Sequence, residues 1–149
     1  MIPDFDRATG LLPVGEHLAT WREIVERFGG TAWREKLLAG LRNALISLKA
    51  AGCKSVYLDG SFVTAKLSPG DFDGCWNTED VDFDLLDRIA PALLTFDVGR
   101  ATQKAMYGGE LFLAESAADG RGTLFRTFFQ MDRDGNPKGI VVIDLKDLT

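Results

Sequence analysis

Ser55-Val56-Tyr57-Leu58-Asp59-Gly60-Ser61 is a run of β-formers closing on a glycine–serine pair, and after nine intervening residues Asp71-Phe72-Asp73-Gly74-Cys75-Trp76 alternates polar and apolar side chains. The first stretch has the composition of a short buried strand and the second the period of a half-buried one. Between them, Ser68-Pro69-Gly70 marks a turn, and residues 62–67 have room for one or two helical turns. In a strand, residues two apart share a face, so Asp71 and Asp73 project side by side while Phe72 enters the core.

Upstream, residues 1–15 contain Pro3, Gly10, Pro13 and Gly15 without a sustained period and read as an irregular N-terminal arm. Residues 16–149 then read as one domain. Thr20-Trp21-Arg22-Glu23 matches a capping box, and Trp21, Ile24, Val25 and Phe28 follow at helical spacing until Gly29-Gly30. A longer helix is expected over about 32–51, with Leu37, Leu38, Leu41, Leu45 and Leu48 as its apolar stripe. Downstream, residues 80–94 suggest a helix broken near Pro91, residues 100–106 a short helix, and residues 110–114 a strand. Residues 123–130 are ambiguous, 132–139 form a turn, and Ile140-Val141-Val142-Ile143-Asp144-Leu145 is the strongest strand. This order implies an α/β (α+β) architecture, a small mixed sheet with helices packed on it.

The chemistry concentrates in the opening stretches. Two adjacent carboxylates repel unless a cation joins them. Mg2+ favours a few carboxylates together with substrate phosphate oxygens. Gly60 allows close backbone approach, and Ser61, at the start of a helical turn, offers N–H groups and a hydroxyl to phosphate. Asp71 and Asp73 as metal ligands, with Gly60 and Ser61 as the nucleotide-binding turn and Lys66 just beyond it, form a platform for metal-assisted phosphoryl or nucleotidyl transfer. Mg2+ is the expected cofactor, with Mn2+ as an alternative.

The bulk properties exclude several other classes. The 149 residues suit one domain, and a hydrophobic content of 46% with 26% charged residues supports a packed core. No apolar run reaches bilayer length, and the acidic start Met1-Ile2-Pro3-Asp4-Phe5-Asp6 is no secretory leader, so a cytoplasmic protein without membrane association is expected. A net charge of −5 argues against a broad DNA-binding surface. His17 is the only histidine and sits in a polar N-terminal stretch, leaving no good base for a serine or cysteine nucleophile. Cys53 and Cys75 read as small core residues. Asp132-Arg133-Asp134-Gly135-Asn136 has a hint of a Ca2+ loop but lacks its glycine and terminal glutamate, and reads as a turn. Asp80, Asp82, Asp84 and Asp87 read as a solvated helix face.

The segment Leu58-Asp59-Gly60-Ser61 through Asp71-Phe72-Asp73-Gly74 resembles the signature of the DNA polymerase beta-like nucleotidyltransferase superfamily. Leu12-Pro13-Val14-Gly15, Trp21-Arg22-Glu23-Ile24, Gly60-Ser61-Phe62-Val63-Thr64, Pro69-Gly70-Asp71-Phe72-Asp73 and Lys138-Gly139-Ile140 extend the resemblance to a small uncharacterised bacterial family of nucleotidyltransferase-like proteins. The resemblance implies an Mg2+-dependent enzyme whose Gly-Ser turn binds the triphosphate of an NTP and whose paired carboxylates bind metal. A nucleotide would pass to a hydroxyl on RNA, a protein or a small molecule. Toxins of toxin–antitoxin pairs belong to that superfamily, so a toxin or defence role and an antitoxin-like partner protein are further implications. The competing expectation is a catalytically inactive module of this type that binds a nucleotide or a protein partner.

Active members carry a third carboxylate on a neighbouring strand. Asp144, at the end of the strongest strand, is the first candidate for this catalytic role and Glu110 the second. Lys66, Arg100, Lys104 and Arg126 are candidate phosphate or acceptor contacts, and Trp76, Tyr107 and Phe112 candidate stacking surfaces for a base, with core packing the competing role.

Overall fold

A computed structural model describes residues 1–148. Its centre is a five-stranded mixed sheet in the order β1-β5-β2-β3-β4, with β1 Gly15–Ala19, β2 Ser55–Asp59, β3 Phe72–Trp76, β4 Gly109–Leu113 and β5 Gly139–Asp144. β2 runs antiparallel to both β5 and β3, whereas β1 and β4 pair in parallel with β5 and β3 at the two edges.

Strand alternation divides the side chains between two faces. Val56, Leu58, Phe72, Trp76, Leu111, Val141 and Ile143 point into the main core with the helices. α1 (Trp21–Phe28) buries Trp21, Ile24 and Phe28, and its N-terminus is capped by the Thr20 side chain accepting from Glu23 N–H. α2 (Ala32–Ala50) buries the leucine stripe expected from its spacing. Gly40 on α2 lets the backbone of Tyr107 pack where a Cβ would collide. That contact brings α4 (Ala101–Tyr107) against α2. α3 (Phe83–Ile89) is capped by Asp82 and gives way before Pro91, which opens a 3-10 turn at Pro91–Leu94.

The opposite face carries a smaller cluster of Tyr57, Cys75, Ala114, Phe129 and Ile140. Residues 114–138 cover it, including the single helical turn α5 (Phe125–Phe128), which resolves the ambiguous stretch at 123–130. Among the described residues no helix is long and apolar enough to cross a membrane.

Residues 1–14 form no helix or strand, and they pack against the body of the protein. Ile2 and Leu12 are buried, and the Arg27 guanidinium donates to the carbonyls of Ile2 and Pro3 while lying 4.4 Å from the Phe5 ring centre. His17, the histidine of the polar N-terminal stretch, lies on β1, its ring Nε2 sharing a hydrogen bond with the Pro13 carbonyl at 2.6 Å. Glu16-His17-Leu18 does alternate in exposure, but five residues flanked by glycine and proline are too short for their period to stand out.

Candidate active site

The site starts where β2 runs out. Leu58 is fully buried and Asp59 only 6% exposed, so the strand delivers a carboxylate to the inner rim. The chain then reverses at Gly60 with φ of 80° and begins a 3-10 turn, Ser61–Val63. A Cβ at position 60 would overlap the Asp73 carboxylate, so the backbone conformation and the close approach both demand glycine. Phe62 and Val63 anchor the turn in the core, and the Thr64 hydroxyl donates to the Ser61 carbonyl at 2.7 Å.

A buried cation shapes this loop from behind. Arg34, in the first turn of α2, is 6% exposed and makes no ion pair among the described residues. Its guanidinium donates to the carbonyls of Phe28 at 3.0 Å, Phe62 at 2.9 Å and Thr64 at 3.2 Å, and also to that of Lys66. One side chain thus satisfies a carbonyl left over at the end of α1 and fixes three carbonyls after the glycine turn.

β3 lies beside β2 in a register that sets Asp73 opposite Asp59, and β4 sets Glu110 opposite Asp73 from the other side. Asp73 is therefore flanked by acids on both neighbouring strands, with Asp71 two residues before it, immediately ahead of β3. Burial is the main force pushing the Asp73 carboxyl up to about 8, and the Asp71 charge, the Glu110 hydrogen bond and charge, and the Asp59 charge add to it. Burial also raises Asp71 and Asp59, against the opposing pull of Lys104 and Lys138 respectively. The cations are close: Lys138 Nζ lies 2.9 Å from Asp59 Oδ1, Arg100 Nε donates to Glu110 Oε2 at 2.8 Å, and Lys104 Nζ is 3.8 Å from Asp71 Oδ2.

Gly60, Ser61, Lys66, Asp71 and Asp73 line a single cleft of about 560 Å3. Asp59, Arg133 and Lys138 complete its charged wall. The cleft has an acidic side on β3 and a cationic side made by Lys66, Arg133 and Lys138 around the Gly60–Ser61 turn. Asp144 is not part of it. Because β5 is antiparallel to β2, Asp144 pairs with Ser55, four residues from Asp59 and so roughly 13 Å along the strand. There it accepts from Lys146 N–H at 3.0 Å and caps a final 3-10 turn, Leu145–Asp147. Glu110, the second candidate, is one of two carboxylates that the sheet brings beside Asp73, the other being Asp59, and it stands behind the cleft wall rather than in it.

Other candidates separate in the same way. Arg126 is removed from the cleft by a bidentate pair with Glu16 at 2.7 and 2.8 Å and by stacking over the Tyr57 ring. Trp76 and Tyr107 are core residues, whereas Phe112 belongs to a partly open aromatic stack. Asp82 caps α3 and Asp80 pairs with Lys54. Asp132 accepts from the backbone of Asp134 and Asn136, as a turn residue does. Asp59, Arg133 and Lys138 were not singled out by sequence reasoning. Asp59 carries a signal, a charge ending an apolar strand directly before Gly-Ser. Arg133 and Lys138 reach the cleft only through the fold of the 131–137 hairpin, which no local pattern announces.

No group of three or more His, Cys, Asp or Glu side chains among the described residues forms a ready-made metal cage. Mg2+ does not require one, since it takes one or two carboxylates and completes its octahedron with water and phosphate. The donor chemistry suits that ion. Asp73 shares a hydrogen bond with Glu110 and feels the Asp71 charge, it is destabilised as an anion when no cation is near, and Gly60 leaves its carboxylate free of a side chain.

Neither a curated protein nor a solved structure matches this chain. A family match does span residues 3–144, nearly the whole sequence and all of the cleft: the chain belongs to the family of unknown function DUF6932.

Proposed function

We propose that this protein is a metal-dependent nucleotidyltransferase that moves a nucleotide from an NTP to a hydroxyl acceptor. The observation that carries the reading is that Asp71 and Asp73 line one cleft with the positive-φ Gly60–Ser61 turn, Lys66, Arg133 and Lys138, while Glu110 stands opposite Asp73 on the next strand. Such a cleft offers cations and N–H groups to a polyphosphate and carboxylates to a divalent ion, in a protein whose overall charge of −5 would otherwise repel both phosphate and nucleic acid. Mg2+ or Mn2+ held by Asp71 and Asp73, with Glu110 as the third carboxylate, would neutralise the triphosphate and acidify the acceptor hydroxyl.

The chain's own residues do the rest. Lys66, Arg133 and Lys138 bind the triphosphate, and the Gly60–Ser61 turn orients it. The acceptor oxygen bonds to the α-phosphorus as the bond to the β-phosphate bridging oxygen breaks and pyrophosphate departs. The hydroxyl proton passes to a carboxylate, Glu110 being the one that faces Asp73 from the next strand. Cys53 and Cys75 are buried free thiols, which accords with a reducing, cytoplasmic setting.

The test is transfer of label from α-labelled NTPs to cell extract in Mg2+ or Mn2+. Asp71→Asn and Asp73→Asn should each lower the rate by about a hundredfold or more. Failure of the unaltered protein to transfer label with every NTP and either metal would replace this reading with that of a nucleotide-binding module lacking catalysis.

A further inference from the structure

Two residues past Glu110 on β4, and therefore on the same face of the sheet about 7 Å away, stands Phe112. Its ring is stacked on Phe125 with centroids 4.3 Å apart and planes 6° from parallel, and it lies 6.1 Å from Phe96 at 13°. Phe96 is 45% exposed, a large ring held at the surface rather than in either hydrophobic cluster. With Arg100, Leu113 and Ser116 these rings line an apolar cleft of about 330 Å3. Arg100 joins that cleft to the carboxylates: its guanidinium lies 5.3 Å from the Phe112 ring centre while its Nε donates to Glu110. Arg100 is also the single non-glycine residue at positive φ, 51°, among the described residues.

We propose that the Phe96–Phe112–Phe125 cleft binds the nucleobase of the acceptor, so that the hydroxyl being modified belongs to a nucleotide or nucleic-acid end. The inference rests on the transferase reading and names its acceptor. Three nearly parallel rings beside a guanidinium present the π-faces and the cation that a base stacks against. The cleft is small, at the lower limit of ligand sites, which suits one flat ring and not a docked helix. Its side of the sheet decides whose base it takes. The Gly60–Ser61 turn and Lys138 belong to the β2–β5 side of Asp73, and the aromatic cleft lies across β3 on the β4 side. An NTP with its phosphates on the first side leaves the second to the incoming strand, whose hydroxyl then falls between them at the carboxylates. Arg100 and Lys104, now paired with Glu110 and Asp71, stand where the acceptor's own phosphate would arrive.

The experiment is a titration of the full chain into a ribotrinucleotide with a fluorescent purine analogue at its terminus, since stacking quenches such a base. Quenching is expected, and Phe96→Ala should weaken it about tenfold or more. Phe96 is exposed enough that its removal leaves the fold intact, which an unchanged melting temperature checks; Phe125→Leu, which keeps an apolar filler but no ring face, serves as the second variant. Absence of quenching, or quenching indifferent to both substitutions, overturns the proposal. So does release of the probe by Mn2+-ATP in simple competition, which would make the cleft a site for the donor's base. Melting-temperature shifts by Mn2+-ATP, read on the same samples, report the donor site separately. Quenching that depends on Phe96 without any ATP shift would retain the base cleft and discard the transferase reading.

Discussion

A carboxyl group whose neighbours on both adjacent strands are also acids is an unusual thing to bury, and Asp73 has a measurable consequence for stability. Its pKa rises from 3.8 to about 8 on folding, chiefly through burial and then through Asp71, Glu110 and Asp59. Between those values the folded chain holds a proton that the unfolded chain releases. The contribution of this group to stability is therefore fully present below about pH 4 and is lost as pH rises towards about 8. Asp73→Asn removes the titration while keeping the shape. In a chelator-containing buffer the variant should melt close to the unaltered protein at pH 4 and several degrees above it at pH 8. Carboxylates whose pKa values are lowered on folding, such as Glu16 and Asp132, act in the opposite sense but equally in both proteins, so the difference reports Asp73 and the acids packed against it. A gap in melting temperature that stays flat across this range would show that Asp73 ionises freely in the folded chain.

Elements bring a different kind of residue into view. Arg34 sits on the first turn of α2, where its sequence context, Thr31-Ala32-Trp33-Arg34-Glu35, reads as an ordinary solvated helix start. The structure instead turns it inward to four carbonyls. Nothing in helical periodicity separates a guanidinium that faces water from one that faces a loop thirty residues on. By contrast, Gly60-Ser61 and Asp71-x-Asp73 were legible because strand period and turn chemistry are local. Arg34→Lys keeps the charge but lacks the planar fork, so most of those carbonyls lose their donor. Roughly 3 kcal/mol of stability should go. Amide exchange should accelerate selectively across residues 61–66, beyond what the global loss explains, and affinity for Mn2+-ATP should fall with it. A uniform rise in exchange over the whole chain would mean that Arg34 supports the core and not the loop in particular.

At the scale of the molecule the decisive quantity is strand order. Locally, Ile140-Val141-Val142-Ile143 and Gly109-Glu110-Leu111-Phe112 are both β-formers ending or beginning near an acid, and either could lie beside β3. The choice between Asp144 and Glu110 is a choice of sheet topology, which depends on how α2, α4 and the 114–138 segment cover the two faces. β5 pairs with β2 instead of β3, and its antiparallel direction carries Asp144 to the far end. β4, parallel to β3, begins at the same end as the Asp71–Asp73 pair and so sets its first acid beside Asp73. Direction, more than proximity, thus sorts the two candidates, and it makes them a matched pair for experiment. Glu110→Gln should lower nucleotide transfer by about a hundredfold or more, as loss of a carboxylate acting on a proton or a metal does. Asp144→Asn should leave transfer unchanged, because asparagine can still cap the final turn and no substrate comes near it. Melting-temperature shifts with Mn2+-ATP give the same contrast without turnover: diminished in Glu110→Gln, retained in Asp144→Asn. Glu110→Gln also frees Arg100, so the Mn2+-ATP shift is read in Arg100→Gln as well, where the pair is lost but the carboxylate remains. Equal defects in Glu110→Gln and Asp144→Asn would mean that both ends of the sheet feed one site, which the antiparallel pairing of β2 with β5 forbids.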